Sequence, residues 1–136
     1  MLVASEAGLT VTLFTDASCR DVMSVSVYMA LQGIKFIHMK AECRVGLTST
    51  DAEILAVIKG INYVSRIGYK NIEVHSDNQI VVDIINKVRF KAKPSKMARV
   101  LRQLCLSYNI TAVKVKGHTG KSPQDICGNL ALRLLG

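Results

Sequence analysis

Three acidic residues stand at points where the sequence pattern changes, and together they could hold a metal ion. Asp16 follows the β-branched run Leu9 to Thr15, and Asp77 follows the short apolar run Asn71 to His75. If these runs are neighbouring parallel strands, Asp16 and Asp77 lie side by side at one edge of the sheet. Glu53 begins a segment of helical spacing that can bring it to the same edge. Three carboxylates this close repel each other unless cations neutralise them, and such oxygen ligands suit magnesium.

Each of these acids also has a purely structural explanation. Asp16 could stabilise a turn through its own side chain. Glu53 could complete a capping box with Thr50, because T-x-x-E before an apolar run is that pattern. Asp77 stands where it could cap the following helix. Capping does not require the three acids to converge, so convergence favours the metal hypothesis.

The elements that would position these acids predict an α/β fold. Three strand-like runs come first, with Gln32-Gly33 as a turn between the second and third; they span Leu9 to Thr15, Val22 to Leu31 and Ile34 to Glu42. A helical stripe follows and ends before Gly68; it contains Ile54, Val57, Ile58, Ile61 and Val64.

The second half of the chain alternates strands and helices. The predicted elements are a strand over Asn71 to His75, a helix over about Asn78 to Asn86, a helix opened by Pro94 and Ser95, a strand over Ile110 to Lys116 and a helix over about Pro123 to Leu134. The order β-β-β-α-β-α-α-β-α predicts one α/β domain over residues 1–136. Its mixed sheet would have five strands, three antiparallel plus two parallel, flanked by helices.

Positive charge is concentrated in the second half of the chain. The net charge is +8, and the stretch from Lys87 to Lys121 holds ten basic residues and no acid. Such a stretch is either a solvated face or a surface for a polyanion, and we favour a polyanion because neutralising phosphates releases counterions. A membrane surface fits less well, since no Trp- and Phe-rich amphipathic face accompanies the charge.

The cysteines and the hydrophobic pattern exclude several classes of protein. The four cysteines, Cys19, Cys43, Cys105 and Cys127, are widely separated and form no CxxC pair, which argues against a zinc site and a disulfide framework. No apolar run reaches the roughly 18 residues that a membrane span needs, and we find no signal pattern. We therefore expect a cytoplasmic protein, without membrane contact and monomeric.

Four short motifs give the chain a resemblance to a known family. They are FTDAS at residues 14–18, TDAEILA at 50–56, SDNQ at 76–79 and VKGHTG at 115–120. Each alone is weak, but in this order, and on these elements, they resemble the type 1 ribonuclease H family over nearly the whole chain. The resemblance implies a ribonuclease H-like fold and a metal-dependent endonuclease that cuts the RNA strand of RNA–DNA hybrids.

The resemblance also implies roles for individual residues. Asp16 would bridge two Mg²⁺ or Mn²⁺ ions, with Glu53 and Asp77 completing one ion site. His118 would assist proton transfer or product departure. The alternative interpretation is that His118 is an ordinary loop residue. The residues expected to contact nucleic acid are Ser18, Asn78, Gln79, Lys87, Arg89, Lys91, Lys93, Lys116 and Thr119.

One position departs from the family pattern. In the last helix the family carries a fourth metal-binding Asp, and alignment on Leu130-Ala131 places Gly128 at that position. Asp125 lies one helical turn earlier on the same face and is the alternative ligand. If only the fourth ligand is missing, Gly128→Asp should raise activity.

Three functions remain open on the sequence. The first is a ribonuclease H-type nuclease, a weak one if Gly128 lowers its activity. The second is a ribonuclease H-like module that binds hybrid or duplex nucleic acid without cutting it. The third is a protein-interaction scaffold, which leaves the presence of Asp16, Glu53, Asp77 and His118 unexplained.

Overall fold

A computed structural model describes residues 8–116 and 123–135 of the chain. The strands are β1 (Thr10–Arg20), β2 (Met23–Gln32), β3 (Lys35–Val45), β4 (Asn71–Ser76) and β5 (Asn109–Lys114). The helices are α1 (Ser49–Arg66), α2 (Gln79–Ile85), α3 (Lys96–Leu104) and α4 (Pro123–Leu135). The predicted order of elements is confirmed, and none of the described helices is long and apolar enough to span a bilayer.

The five strands form one mixed sheet in the order β3-β2-β1-β4-β5. The first three strands pair antiparallel, while β1–β4 and β4–β5 pair parallel. This confirms the predicted fold class. A positive φ of 59° at Gly33 allows the tight turn between β2 and β3, a backbone conformation that glycine adopts at low cost.

Strand β1 is longer than predicted. Asp16 does not close it, because pairing with β2 continues from Thr12 to Arg20 and places Asp16 opposite Val27. The pairing with β4, in contrast, ends at Phe14 and His75. Two residues beyond that pair, the same register brings Asp16 level with Asp77. The long β2 partner explains the extra length, since the sequence of β1 beyond Asp16 has little strand character of its own.

Both faces of the central strands are covered. On one face a large core joins β1, β4 and α1, with Leu13, Ile61 and Val74 fully buried. On the other face a smaller core joins β2 to α4 through Val27 and Cys127. The seven residues from Ser24 to Ala30 are therefore all buried, which is why β2 shows only partial alternation in its sequence.

Candidate metal centre and nucleic-acid interface

The three acids singled out in the sequence come together at one edge of the sheet. Asp16, Glu53 and Asp77 each offer a carboxylate oxygen, and these oxygens lie within 4.8 Å of one another. Asp16 is buried, with 9% of its surface exposed, and the other two are partly buried. Carboxylate oxygens at this separation can share a divalent cation. The expected convergence of the three side chains is therefore present.

Glu53 does not cap its own helix. The N-cap of α1 is Thr48, whose side-chain oxygen accepts a hydrogen bond of 3.1 Å from the backbone N–H of Asp51. The alternative explanation of Glu53, a capping box with Thr50, therefore fails, because Thr48 is the N-cap residue. Glu53 lies further along the first turns of α1, where it is available to the acidic group.

Asp77 does not cap its helix either. The cap of α2 is Asn78, whose Oδ1 accepts from the backbone N–H groups of Ile80 at 2.8 Å and Val81 at 3.3 Å. The backbone N–H of Asn78 in turn donates to Ser76 Oγ at 3.1 Å. The structural explanation considered for Asp77 therefore fails, because the next residue fills the capping position.

The environment of Glu53 opposes its negative charge. Burial raises the pKa of Glu53 to about 7, and the charges of Asp77 and Asp16 act in the same direction, while a hydrogen bond from the Asn78 side chain opposes the rise. Oε2 of Glu53 is buried and has no hydrogen-bond partner among the described residues. A cation placed between the acids would relieve both the repulsion and the unpaired oxygen. The residues present therefore fit a divalent metal ion.

Helix α4 packs directly onto Asp16. A Cβ built on Gly128 would lie 2.6 Å from Asp16 Oδ2, closer than real side chains pack. Burial raises the pKa of the neighbouring Cys127 thiol to about 12, with the Asp16 charge acting in the same direction. Gln124 anchors the start of the helix, since its Nε2 donates to the Thr15 carbonyl at 2.5 Å. Gly128 therefore packs against Asp16 and, having no side chain, offers no metal ligand.

Three further predicted site residues are not part of the described acidic group. Asp125 is buried in the first turn of α4 but does not belong to the described group of possible metal ligands formed by Asp16, Glu53 and Asp77. His118 and Thr119 lie outside the residues that the structure describes. The roles of His118 and Thr119 therefore remain predictions from the sequence.

A cleft of about 550 Å³ lies between α1, α2, α3 and the basic segment that joins α2 to α3. Thr50 of α1 and Ile80 of α2 both line it, and each is three residues from an acid of the group. The floor is apolar and includes Ile54, Ile84 and Phe90. The rim carries four basic side chains (Arg89, Lys91, Lys93 and Arg102), and the acids Asp51 and Asp83 also line the cleft.

Arg102 holds the basic segment against the fold. Its guanidinium donates to the carbonyl oxygens of Ile84 and Val88, both at 2.7 Å, and lies 4.2 Å from the centre of the Phe90 ring. Phe90 therefore packs on the protein. The sequence shows no signal for this role of Arg102, because it depends on where α3 docks.

The other residues expected to contact nucleic acid have different positions. Ser18 lies on β1 two residues beyond Asp16, and Gln79 opens α2 with its Nε2 donating to Asp83 at 2.7 Å. Lys87 is exposed in a left-handed backbone conformation with φ of 64°. Lys116 is exposed just beyond β5. Gln79 thus follows Asp77 closely at the start of α2, whereas Lys87 lies beyond the other end of this helix.

Comparison with known proteins places this chain in a family. The model of the reverse transcriptase-like family matches residues 27–118. No curated protein sequence matches the chain. The family match covers more than half of the chain and includes two of the three acids.

Solved structures with the same fold are ribonucleases H of low sequence identity. Ribonuclease H1 from Halobacterium salinarum is 17% identical, with a TM-score of 0.76 over 93% of this chain and 97% of its own. The N-terminal ribonuclease H domain of a Mycobacterium tuberculosis protein is 15% identical, with a TM-score of 0.76 over 95% and 100%. LC11 ribonuclease H1, of a compost metagenome and solved with an RNA/DNA hybrid, is 14% identical, with a TM-score of 0.73 over 93% and 99%.

These similarities confirm the resemblance to ribonuclease H at the level of family and fold. At such low identity, the solved structures carry information on the fold alone. The chain belongs to the reverse transcriptase-like family and has the ribonuclease H-like fold.

Proposed function

We propose that this protein is a metal-dependent endonuclease that hydrolyses the RNA strand of RNA–DNA hybrids. The observation that carries the proposal is the convergence of Asp16, Glu53 and Asp77, whose ligand oxygens lie within 4.8 Å of one another. Neither Glu53 nor Asp77 is used as a helix cap, so local structure does not account for their positions.

The three carboxylates are the groups that would hold Mg²⁺ or Mn²⁺. When bound, such an ion supplies Lewis-acid stabilisation of the phosphate and a more acidic water. Asp16, Glu53 and Asp77 would hold this ion through their carboxylate oxygens. The family resemblance implies a pair of ions.

Substrate binding is assigned to the surface that surrounds the acids. Arg89, Lys91 and Lys93 supply positive charge along the cleft. Lys87, just before them in the chain, and Lys116, beyond β5, supply further positive charge. Ser18, Asn78, Gln79 and Thr119 are the polar contacts that we expect near the cut strand. The hybrid bound by LC11 ribonuclease H1 supports the choice of ligand.

His118 completes the proposed site. It precedes α4, the helix that packs on Asp16, and an imidazole there would accept or deliver a proton as the product leaves. The free cysteines fit a reducing compartment. The proposed location is therefore the cytoplasm. We also propose that the enzyme is a monomer.

Cleavage of a labelled RNA–DNA hybrid tests the proposal. The wild type is expected to release RNA fragments in Mg²⁺ or Mn²⁺, and Asp16→Asn should abolish the products while hybrid binding stays intact or tightens, because a repulsive charge near phosphate is removed. Asp21→Asn is the matched control, since this exposed acid lies outside the group. Products that persist in Asp16→Asn at the wild-type rate would overturn the assignment.

A second function is favoured by Gly128. The helix position that carries an acid in the family pattern has no side chain here and contacts Asp16. This supports a ribonuclease H-like module that binds hybrid or duplex nucleic acid and cuts it weakly or not at all. Intact RNA in both metals, from protein that still retards the hybrid on a gel, would select this function over the nuclease.

A further inference from the structure

We propose that the acidic group takes one divalent ion and not two. The ion would lie on the side of Asp16 that faces Glu53 and Asp77, and the side that faces α4 would stay closed to metal. The inference rests on the proposed metal role of this group and deepens it. Its basis is the packing of α4 on Asp16.

The backbone of α4 fills the space beside Asp16 Oδ2. A Cβ on Gly128 would approach this oxygen to 2.6 Å. Because a carbon–carbon bond is only about 1.5 Å long, Cα of Gly128 itself lies within about 4 Å of Oδ2. A metal–oxygen bond of about 2.1 Å directed at α4 would place the ion against this carbon. There is no space for an ion and its ligands between the strand and the helix.

The surroundings of this contact are also unsuited to a cation. Val27, opposite Asp16 in the sheet, and Cys127 and Ala131 on α4 are each 0% exposed. These three side chains form the small core between β2 and α4. Divalent ions of this class need six or more oxygen ligands, including water. These three side chains offer no oxygen ligand to a cation.

The group of Asp16, Glu53 and Asp77 has what one ion needs. Three carboxylate oxygens lie within 4.8 Å of one another, and Oε2 of Glu53 has no hydrogen-bond partner in the part of the chain described. Water or a substrate phosphate can supply the remaining ligands, because Mg²⁺ usually keeps several waters. Three protein oxygens are therefore a sufficient set for one ion.

Two polar groups on α4 could argue for a second ion. Oε1 of Gln124 is buried and has no partner among the described residues, and Asp125 is the alternative ligand suggested by the sequence. The amide of Gln124, however, is anchored to the Thr15 carbonyl, and Asp125 does not belong to the described metal-ligand group. Under the one-ion proposal, removing either group leaves the number of bound ions unchanged.

Titration of the full chain with Mn²⁺ tests the proposal. Calorimetry should give about one ion per chain, and electron paramagnetic resonance should show an isolated ion without exchange coupling. The same result is expected when a hybrid of DNA with 2′-O-methylated RNA is bound, whose phosphate oxygens can serve as further ligands. Two ions per chain, or an exchange-coupled signal, would overturn the one-ion proposal and leave the metal site standing.

Variants separate this proposal from the proposed function. Asp16→Asn should abolish the binding heat, and the control Asp21→Asn should keep it. Gln124→Ala and Asp125→Asn should each keep a stoichiometry of about one; a drop from two to one in either variant would identify a second ion on α4. Absence of Mn²⁺ binding in the wild type would overturn the metal role itself, and with it both proposals.

Discussion

The side chain of Asn78 joins the cap of α2 to the carboxylate of Glu53. Its Oδ1 accepts from the backbone N–H groups of Ile80 and Val81, and a hydrogen bond between its side chain and Glu53 lowers the pKa of that acid. A carboxylate only accepts hydrogen bonds, so the amide nitrogen of Asn78 is the donor. Asn78 is therefore a positioning residue for Glu53, in a role that the capping pattern alone would not indicate.

Replacing Asn78 by Asp should separate these two roles. Asp caps a helix as well as Asn does, so α2 should persist, but the donor to Glu53 is replaced by a second negative charge. We expect a loss of about 1.5 kcal/mol in the free energy of unfolding at pH 8 without metal, the low end for a hydrogen bond to a charged group, and a smaller loss at pH 5. Guanidinium unfolding at the two pH values measures the difference. Asn78→Ser, which keeps a cap but adds no charge, is the control, and an equal loss at both pH values would contradict the role.

The stability of the metal-free protein should fall as the pH rises through the range where Glu53 ionises. The folded-state pKa of Glu53 is about 7, against a model value of 4.5, so the folded state holds this proton more tightly than the unfolded state. Its contribution to stability is full below about pH 4.5 and is lost by the time the pH has passed about 7. Thermal unfolding from pH 4 to 8 in a chelator should show this decline for the wild type.

The Glu53→Gln variant provides the test of that assignment. It should flatten the decline, because the titrating carboxyl is gone, whereas Glu42→Gln on the edge strand should leave the slope unchanged. Added Mg²⁺ should raise the melting temperature of the wild type more at pH 8 than at pH 5, since metal binding requires the ionised carboxylate. A wild-type slope identical to that of Glu53→Gln would show that another group controls the pH dependence.

The basic rim of the cleft should determine the salt dependence of nucleic-acid binding. Lys91 and Lys93 are exposed there, and each phosphate contact contributes about 0.9 to the slope of log K against log salt for duplex DNA. Replacing both by Ala should weaken hybrid binding and flatten this slope. The control replaces Lys35 and Lys40 of β3 by Ala, which removes the same charge from the opposite edge of the sheet. Equal slopes in the wild type and the Lys91, Lys93 variant would exclude the rim as a phosphate contact.

Gly128→Asp should lower the affinity of the site for metal and should not raise activity. The sequence alone suggests that this change restores a missing ligand, but a Cβ at residue 128 would meet Asp16 Oδ2 at 2.6 Å. Either Asp16 moves, which disturbs the acidic group, or α4 moves off the sheet. Mn²⁺ calorimetry measures the effect, with exposed Asn129→Asp as the charge-matched control. Tighter metal binding with higher cleavage would show that α4 can move without cost.

Much of the fold can be read from the sequence because it depends on local patterns. The β-branched runs, the helical stripe on α1 and the Gly33 turn predict the elements, and the alternation of strand and helix after residue 70 predicts parallel pairing. The spacing of Asp16, Glu53 and Asp77 relative to these elements was enough to predict their convergence. Each of these inferences needs only residues that are close in sequence and a general rule for how strands and helices pack.

Other features depend on which side chains meet across the fold. Thr48 and Thr50 both offer a capping pattern, and only the docking of α1 selects Thr48 and leaves Glu53 to the acidic group. The strength of the repulsion at Glu53 depends on burial, which the sequence does not state. Most clearly, the sequence indicates only a missing ligand at Gly128, whereas the structure shows that a Cβ at this position would meet Asp16 Oδ2 at 2.6 Å. The sequence shows that residue 128 has no carboxylate. The distance between the backbone of α4 and the carboxylate of Asp16 is decided only by the packing of the whole domain.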